Sequence, residues 1–219
     1  MAGSSYDALQ TKKNQLIRKA LNGSVFVAPT SSTAITALTD STDKLLKTLP
    51  TGYVDLGWLS DDGAQFARDT DTSDVTSWGS TEPTRSDVTK DQTTLQVACQ
   101  ETRLETIGLY MGVDMSGVTP DATSGEVSVA KPTTPKSRYY RVLSIAVDNT
   151  DDGEIYIGRF LPNAKVTEFD DQQQSSGDDP IMWSVTFGAF IDSALGFSEK
   201  VFFGGPGWSA LLTDMGFSS

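Results

Sequence analysis

Histidine is absent from all 219 residues, and cysteine occurs once, as Cys99. With no imidazole there is no ordinary general base near neutral pH and no common metal ligand, which excludes Ser/His/Asp hydrolases and zinc sites built from His and Cys. A single thiol excludes an internal disulfide. No apolar run approaches the roughly 18 residues of a membrane helix, and no charged-then-apolar leader opens the chain. The expectation is a soluble protein made in a reducing cytoplasm, with no cofactor.

Positive charge is also scarce: 17 Lys/Arg stand against 29 Asp/Glu, a net charge of −12. The shortage is uneven. Residues 1–50 hold six cations (Lys12, Lys13, Arg18, Lys19, Lys44, Lys47) and three carboxylates (Asp7, Asp40, Asp43), leaving a net −15 on the remaining 169 residues. So acidic a body repels phosphates, which disfavours tight nucleic-acid binding over the main surface.

What is present is alternation. Ile181 to Ile191 places Ile181, Trp183, Val185, Phe187, Ala189 and Ile191 on one side and Met182, Ser184, Thr186, Gly188 and Phe190 on the other, a strand with one buried face. Tyr139 to Val147 and Glu154 to Pro162 alternate likewise, and the Asp/Asn/Gly segment 148–153 between them reads as a hairpin turn. Pro162 and Asn163 bend the chain into a further strand, Ala164 to Phe169. Other strands are expected at Val25 to Ala28, near Tyr53 and Val54, at Thr93 to Cys99, at Glu126 to Ala130 and at Lys200 to Phe203. An antiparallel sheet is the centre of the fold.

Helices are few. Tyr6 to Leu21 is expected as a short amphipathic helix with a basic face, and 102–111 as a helix capped by Thr102 with Glu105 three residues on, ended by Gly112. Pro29 to Asp43 and Val113 to Thr134 read as loop, and Ser60 to Gly63 as a turn. Asp69 to Asp91 holds only Val75, Trp78 and Val88 as large apolar residues. It reads as a long polar inter-strand loop, with Trp78 either a partner anchor or an aromatic tucked back onto its own domain. Trp208 to Phe217 suggests a closing helix or turn. The division is an N-terminal arm, 1–30, and one domain, 31–219, with loop 69–91 and closing segment 204–219.

Chemical motifs fail on inspection. Asp148 to Glu154 imitates a calcium loop but has Arg159 where the bidentate Glu belongs. The acidic run from Asp170, Asp171 to Asp178, Asp179 reads as a solvated loop. Gly204 to Gly207 lacks the Lys and Ser/Thr of a phosphate loop. Cys99 continues an apolar strand face and reads as a core thiol.

Five phrases in order carry a resemblance: Gly52-Tyr-Val-Asp-Leu-Gly-Trp-Leu-Ser-Asp-Asp-Gly63, Trp78-Gly79 in a polar stretch, Thr93 to Gly112, Gly158-Arg-Phe-Leu-Pro-Asn-Ala-Lys-Val-Thr-Glu168, and Gly204 to Phe217. Together they resemble the major tail proteins, or tail tube proteins, of long-tailed actinobacterial phages with noncontractile tails. The resemblance implies a non-enzymatic virion protein: a mainly β, antiparallel β-sandwich or partial barrel with one flanking helix, assembling six to a ring. Rings stack into a hollow tube around a tape-measure protein, between tail-tip and tail-terminator proteins, and genomic double-stranded DNA leaves through the bore. Lys12, Lys13, Arg18, Lys19, Trp78 and Trp208 are the expected subunit or ring interface. Thr94, Gln96, Ser184 and Thr186 are the expected lumen-lining residues. The competing class is a monomeric carbohydrate-binding β-sandwich using Tyr139 and Trp208 as its platform; an acid glycosidase would need two carboxyls across one cleft.

Overall fold

The computed structural model describes residues 4–134, 136–177 and 180–218. Its elements are α1 (Tyr6–Leu9), a 3-10 turn (Asn14–Leu16), β1 (Asn22–Pro29), β2 (Val54–Asp55), β3 (Leu59–Thr76), β4 (Pro83–Cys99), α2 (Leu104–Met111), β5 (Tyr140–Thr150), β6 (Gly153–Phe169), β7 (Trp183–Ala189), β8 (Lys200–Gly204) and α3 (Pro206–Ala210). The strands form one antiparallel sheet in the order β2-β1-β5-β6-β7-β4-β3, with β8 added to β6. The protein is mainly β, as expected.

The two ends of that order, β2 and β3, are separated in sequence by only Leu56, Gly57 and Trp58. So short a link draws the ends together and curls the sheet into a partial barrel. Leu56 N–H donates to the Val25 carbonyl at 2.9 Å, and Gln100 N–H donates to the Trp58 carbonyl at 2.9 Å, fixing the link to both ends. Inside the curl lies the main core: Val25 and Val27 of β1, Leu56, Leu95, Val97 and Cys99 of β4, Val142, Leu161, and Val185, Phe187 and Ala189 of β7, with Leu109 of α2 across the opening. Each large side chain buried there contributes about 1.5–3 kcal/mol.

A second core lies on the outer face. Leu143, Ile145, Tyr156 and Phe160 are covered by the coil after β1 through Ile35 and Leu38. Gly158 allows this close cover, because a Cβ there would stand 2.8 Å from Leu38 Cδ2. Strands buried on both faces explain the dense apolar composition of β5 and β6.

The alternating strands stand where the sequence puts them, with informative changes of length. Val185, Phe187 and Ala189 enter the core and Trp183 packs against it, while Ile181 and Ile191 lie exposed beyond the ladder. β6 does not break at Pro162; a register shift between Tyr140 and Val142 opposite it accommodates the residue that cannot donate, joining the two expected strands into one. Helix α2 begins one residue late: Arg103 is the cap, and its N–H donates to Thr106 Oγ1 at 2.9 Å. Gly112 ends it at φ +66, as expected.

Three expectations are corrected. The helix over 6–21 is reduced to α1 and the 3-10 turn, because residues 10–15 are all polar and supply no continuous stripe for a helix too short to stand alone. Within the span 1–30 assigned to the arm, Asn22–Pro29 form β1, with Val25, Val27 and Ala28 buried. Ser60 to Gly63 is not a turn but an irregular stretch inside β3, at a register shift between Leu59 and Ala64 where Gly63 adopts φ +65. Glu126 to Ala130 finds no ladder and is coil. Of the acidic run, Asp178 and Asp179 lie outside the described residues.

Candidate functional site

The largest departure is the stretch 69–91. β3 and β4 pair with each other from Leu59↔Cys99 to Thr76↔Pro83, but β4 meets β7 only from Thr94 to Cys99. Everything outboard of Thr93 is therefore a two-stranded arm rather than a loop. At ~3.3 Å per residue its eight or so outer positions reach about 25 Å past the sheet. No face of it is buried, so the hydrophobic alternation that announces a strand is absent. Cross-strand pairs hold it instead: Arg68 grips Asp91 through two bonds of 2.6 Å, Lys90 meets Asp69, and Ser77 shares a 2.7 Å hydrogen bond with Thr84 across the tip. Arg68 lowers the Asp91 pKa chiefly by hydrogen bonding, and Asp69 raises that of Lys90 in the same way. The legible signal was the Asp/Thr alternation from Asp69 to Thr72 and the Thr/Val positions beyond.

Trp78 stands at the tip, 106% exposed, next to Gly79 at φ +87. Nothing in its own subunit covers the indole. Trp208 is different: half-buried in α3, it stacks on Phe203 at 4.9 Å and 18°, with Phe217 at 6.1 Å. Gly205 starts that closing turn at φ +107, a conformation an L side chain resists, and a Cβ there would meet the Glu154 carbonyl oxygen at 2.3 Å. Tyr139 is exposed with its ring edge-on to Phe190.

Of the basic arm residues, two are engaged within the subunit. Lys13 Nζ donates to Asp214 Oδ1 at 2.8 Å, depressing the pKa of that carboxyl, and Arg18 lies 3.4 Å from Asp148. Lys12 and Lys19 face solvent. The pairing with Arg18 also leaves Asp148, nearly buried, poorly placed for a cation.

Thr94 and Gln96 of β4 pair with Gly188 and Thr186 of β7, and Ala98 with Ser184, so the four expected lumen residues share one face of two adjacent strands. Thr94 and Gln96 are half-buried; Ser184 and Thr186 are buried in the subunit at 7% and 8% exposure. Gln96 Nε2 donates to Asp170 Oδ2 at 2.8 Å, bringing a carboxylate to the same face.

Cys99 is buried, and burial pushes its thiol up to about 12, which makes it a packing residue rather than a nucleophile. Among the described residues no group of His, Cys, Asp and Glu has the arrangement of a metal site, and no helix is long and apolar enough to cross a membrane.

A curled antiparallel sheet with a long, coreless hairpin ending in an uncovered indole defines a class: a β-structural subunit with more recognition surface than its own core uses. The sequence profile of the phage tail tube protein family matches residues 10–193, and the chain belongs to that family. No curated protein sequence matches it. It is thus a structural protein of the virion tail whose family self-assembles into a tube.

Proposed function

We propose that this subunit forms rings, six to a ring, that stack into the hollow tube of a noncontractile tail. The tube encloses a tape-measure protein, ends at tail-tip and terminator proteins, and conducts double-stranded DNA without binding it specifically. Assembly takes place in the host cytoplasm, and the protein catalyses nothing. The observation that carries this is the hairpin arm: some two dozen ladder-paired, wholly solvated residues, with a bare tryptophan at the tip, bury nothing of the subunit's own core. Charge supports it, since an acidic wall beside the bore leaves phosphates without counterion-release affinity. The exposed edge of β3 and the short β2 offer ladders to neighbouring copies.

In this reading the arm ahead of β1 and the hairpin 69–91 order fully only when one ring meets the next. Ordering costs about 1–2 kcal/mol per residue, which holds back spontaneous polymerisation until a tip complex provides a template. Negative-stain microscopy of the purified protein with its tail-tip nucleus is expected to show hollow filaments built of rings. Hydrogen exchange is expected to show both segments gaining protection on assembly. Absence of filaments at high concentration with the nucleus overturns the function; equal protection in free and assembled subunits overturns the ordering step alone.

A further inference from the structure

In a chain of net charge −12, four of the 17 cations converge on one cleft beside the C-terminal end of α2. Lys131, Lys136, Arg138 and Lys165 line a hollow of about 530 Å³ floored by Tyr110, Tyr140 and Phe169. Their charges are poorly answered at home. Among the described residues, Arg138 pairs with Asp114 at 3.2 Å, yet its Nε is buried with no acceptor, and Lys165 donates only to the Ser137 hydroxyl at 3.0 Å. Lys131 and Lys136 have no ion pair among the described residues.

The hairpin tip has the converse surplus. All three cations of β3 and β4 (Arg68, Arg85 and Lys90) are paired within the hairpin, while Asp74 and Glu82, flanking Trp78, have no cationic partner among the described residues. We propose that the cleft is the receptor for the hairpin tip of a second copy, seating Trp78 on its aromatic floor and setting Asp74 and Glu82 against its lysines and Arg138. The proposal rests on the tube-subunit reading above.

Three features favour this occupant. The indole is fully exposed and the ladder carries it about 25 Å outward, so it is not seated in its own cleft. Cations over an indole face gain a cation–π attraction in addition to the carboxylate pairs, and the incoming segment brings acceptors for the unsatisfied Nε. A projection that fits a hollow elsewhere on the same molecule makes a head-to-tail contact, the kind that propagates rather than closes on two subunits.

The test uses full-length protein in assembled tubes. Cys99 is buried and holds its proton, so introduced thiols alone should react. Subunits carrying Trp78→Cys mixed with subunits carrying Lys136→Cys should give disulfide-linked dimers on mild oxidation, and the double variant a ladder. Tubes that form without these cross-links, or cross-links from Trp78→Cys alone, overturn the docking while leaving the tube reading intact. A wild-type chain that makes no tubes removes the tube reading itself. Reversing the tip with Asp74→Lys and Glu82→Lys should raise the critical concentration about 30-fold or more, and adding Lys131→Glu and Lys136→Glu should restore it. Failure of that restoration overturns the proposal. So does a duplex oligonucleotide that binds the wild-type subunit and is lost from the Lys131→Glu, Lys136→Glu variant while tube formation is unchanged, for the cleft is then a phosphate site.

Discussion

The same ladder chemistry builds two very different regions of this molecule. In the curled body, β5 and β6 are covered on both faces, and Leu143, Phe160, Leu161 and Phe187 have no measurable exposure. In the hairpin beyond Thr93 the backbone bonds continue with no core at all, held by Arg68–Asp91, Lys90–Asp69 and the Ser77–Thr84 bond. Exposed pairs of this kind are worth about 0–1 kcal/mol each, far less than one buried phenylalanine. Stability therefore resides in the body. The hairpin adds little to it.

The largest break of that contrast is in the body. Phe187→Ala removes a fully buried ring from the main core and should cost about 3–5 kcal/mol, measured by urea unfolding of the free subunit. If the loss were under about 1 kcal/mol, the core would not be the source of stability, and the comparison would fail at its stronger end.

Next in size is the joint between the regions. Arg159 of β6 bonds Glu199 at 2.6 Å and lies 3.7 Å over the Phe66 ring at the base of the hairpin, while the other Glu199 oxygen accepts from Thr93 Oγ1 at 2.9 Å. Both charged side chains are mostly buried, so Arg159→Leu strands a carboxylate and should cost about 2 kcal/mol. Amide exchange should accelerate at Phe66 to Arg68 more than in β5. Uniform acceleration would mean that Arg159 supports the body generally and does not tether the hairpin.

The contrast also explains what the sequence disclosed. Regions that bury a face write it into their alternation: Leu95, Val97 and Cys99, or Val185, Phe187 and Ala189, were legible as strands with the correct side inward. The hairpin buries neither face, so Asp69 to Asp91 offered no apolar alternation, and a polar stretch reads as loop. The N-terminal segment erred the other way, because Leu9, Leu16 and Ile17 look periodic although the residues between them leave the helix without a stripe. The isolation of Trp78 in the hairpin stretch was legible, and its indole is exposed. The cationic cleft was not legible, since Lys165 lies far in sequence from Lys131, Lys136 and Arg138 and joins them only through the pairing of β5 and β6.

Titration separates the regions less strongly. Depressed carboxyls are spread over body and loops: Glu101 through the Trp58 N–H and Arg103, Asp114 through Ser116 and Arg138, Asp121 through the backbone of Ser124 and Thr123, with Asp91 alone in the hairpin. A carboxyl whose folded pKa lies below its unfolded value contributes stability above the unfolded value and loses it as pH falls through the folded one. Burial raises Tyr53, Tyr156 and Cys99 to about 12, so their contribution is present below their ordinary values of 10.0, 10.0 and 9.0 and is lost as pH climbs toward 12. With no histidine to titrate, unfolding free energy should be level from about pH 5.5 to 8, falling below about pH 4 and above about pH 9.5. A step near pH 6.5 in denaturant midpoints would contradict this.

The smallest expected effect on stability is the most telling. Replacing Thr72 to Thr89 by Asn-Gly joins the ladder partners Asp71 and Lys90 across a two-residue turn of the kind that suits a right-twisted ladder. It deletes no buried side chain and should move the unfolding free energy by less than about 0.5 kcal/mol. The shortened subunit should run as a folded monomer on size exclusion and, given the same nucleus, form no tube. A marked loss of stability would show that the hairpin supports its own fold, and normal tubes from the shortened chain would show that it supports nothing else. Only the combination of an unchanged monomer and a lost polymer assigns these residues to the neighbouring copy.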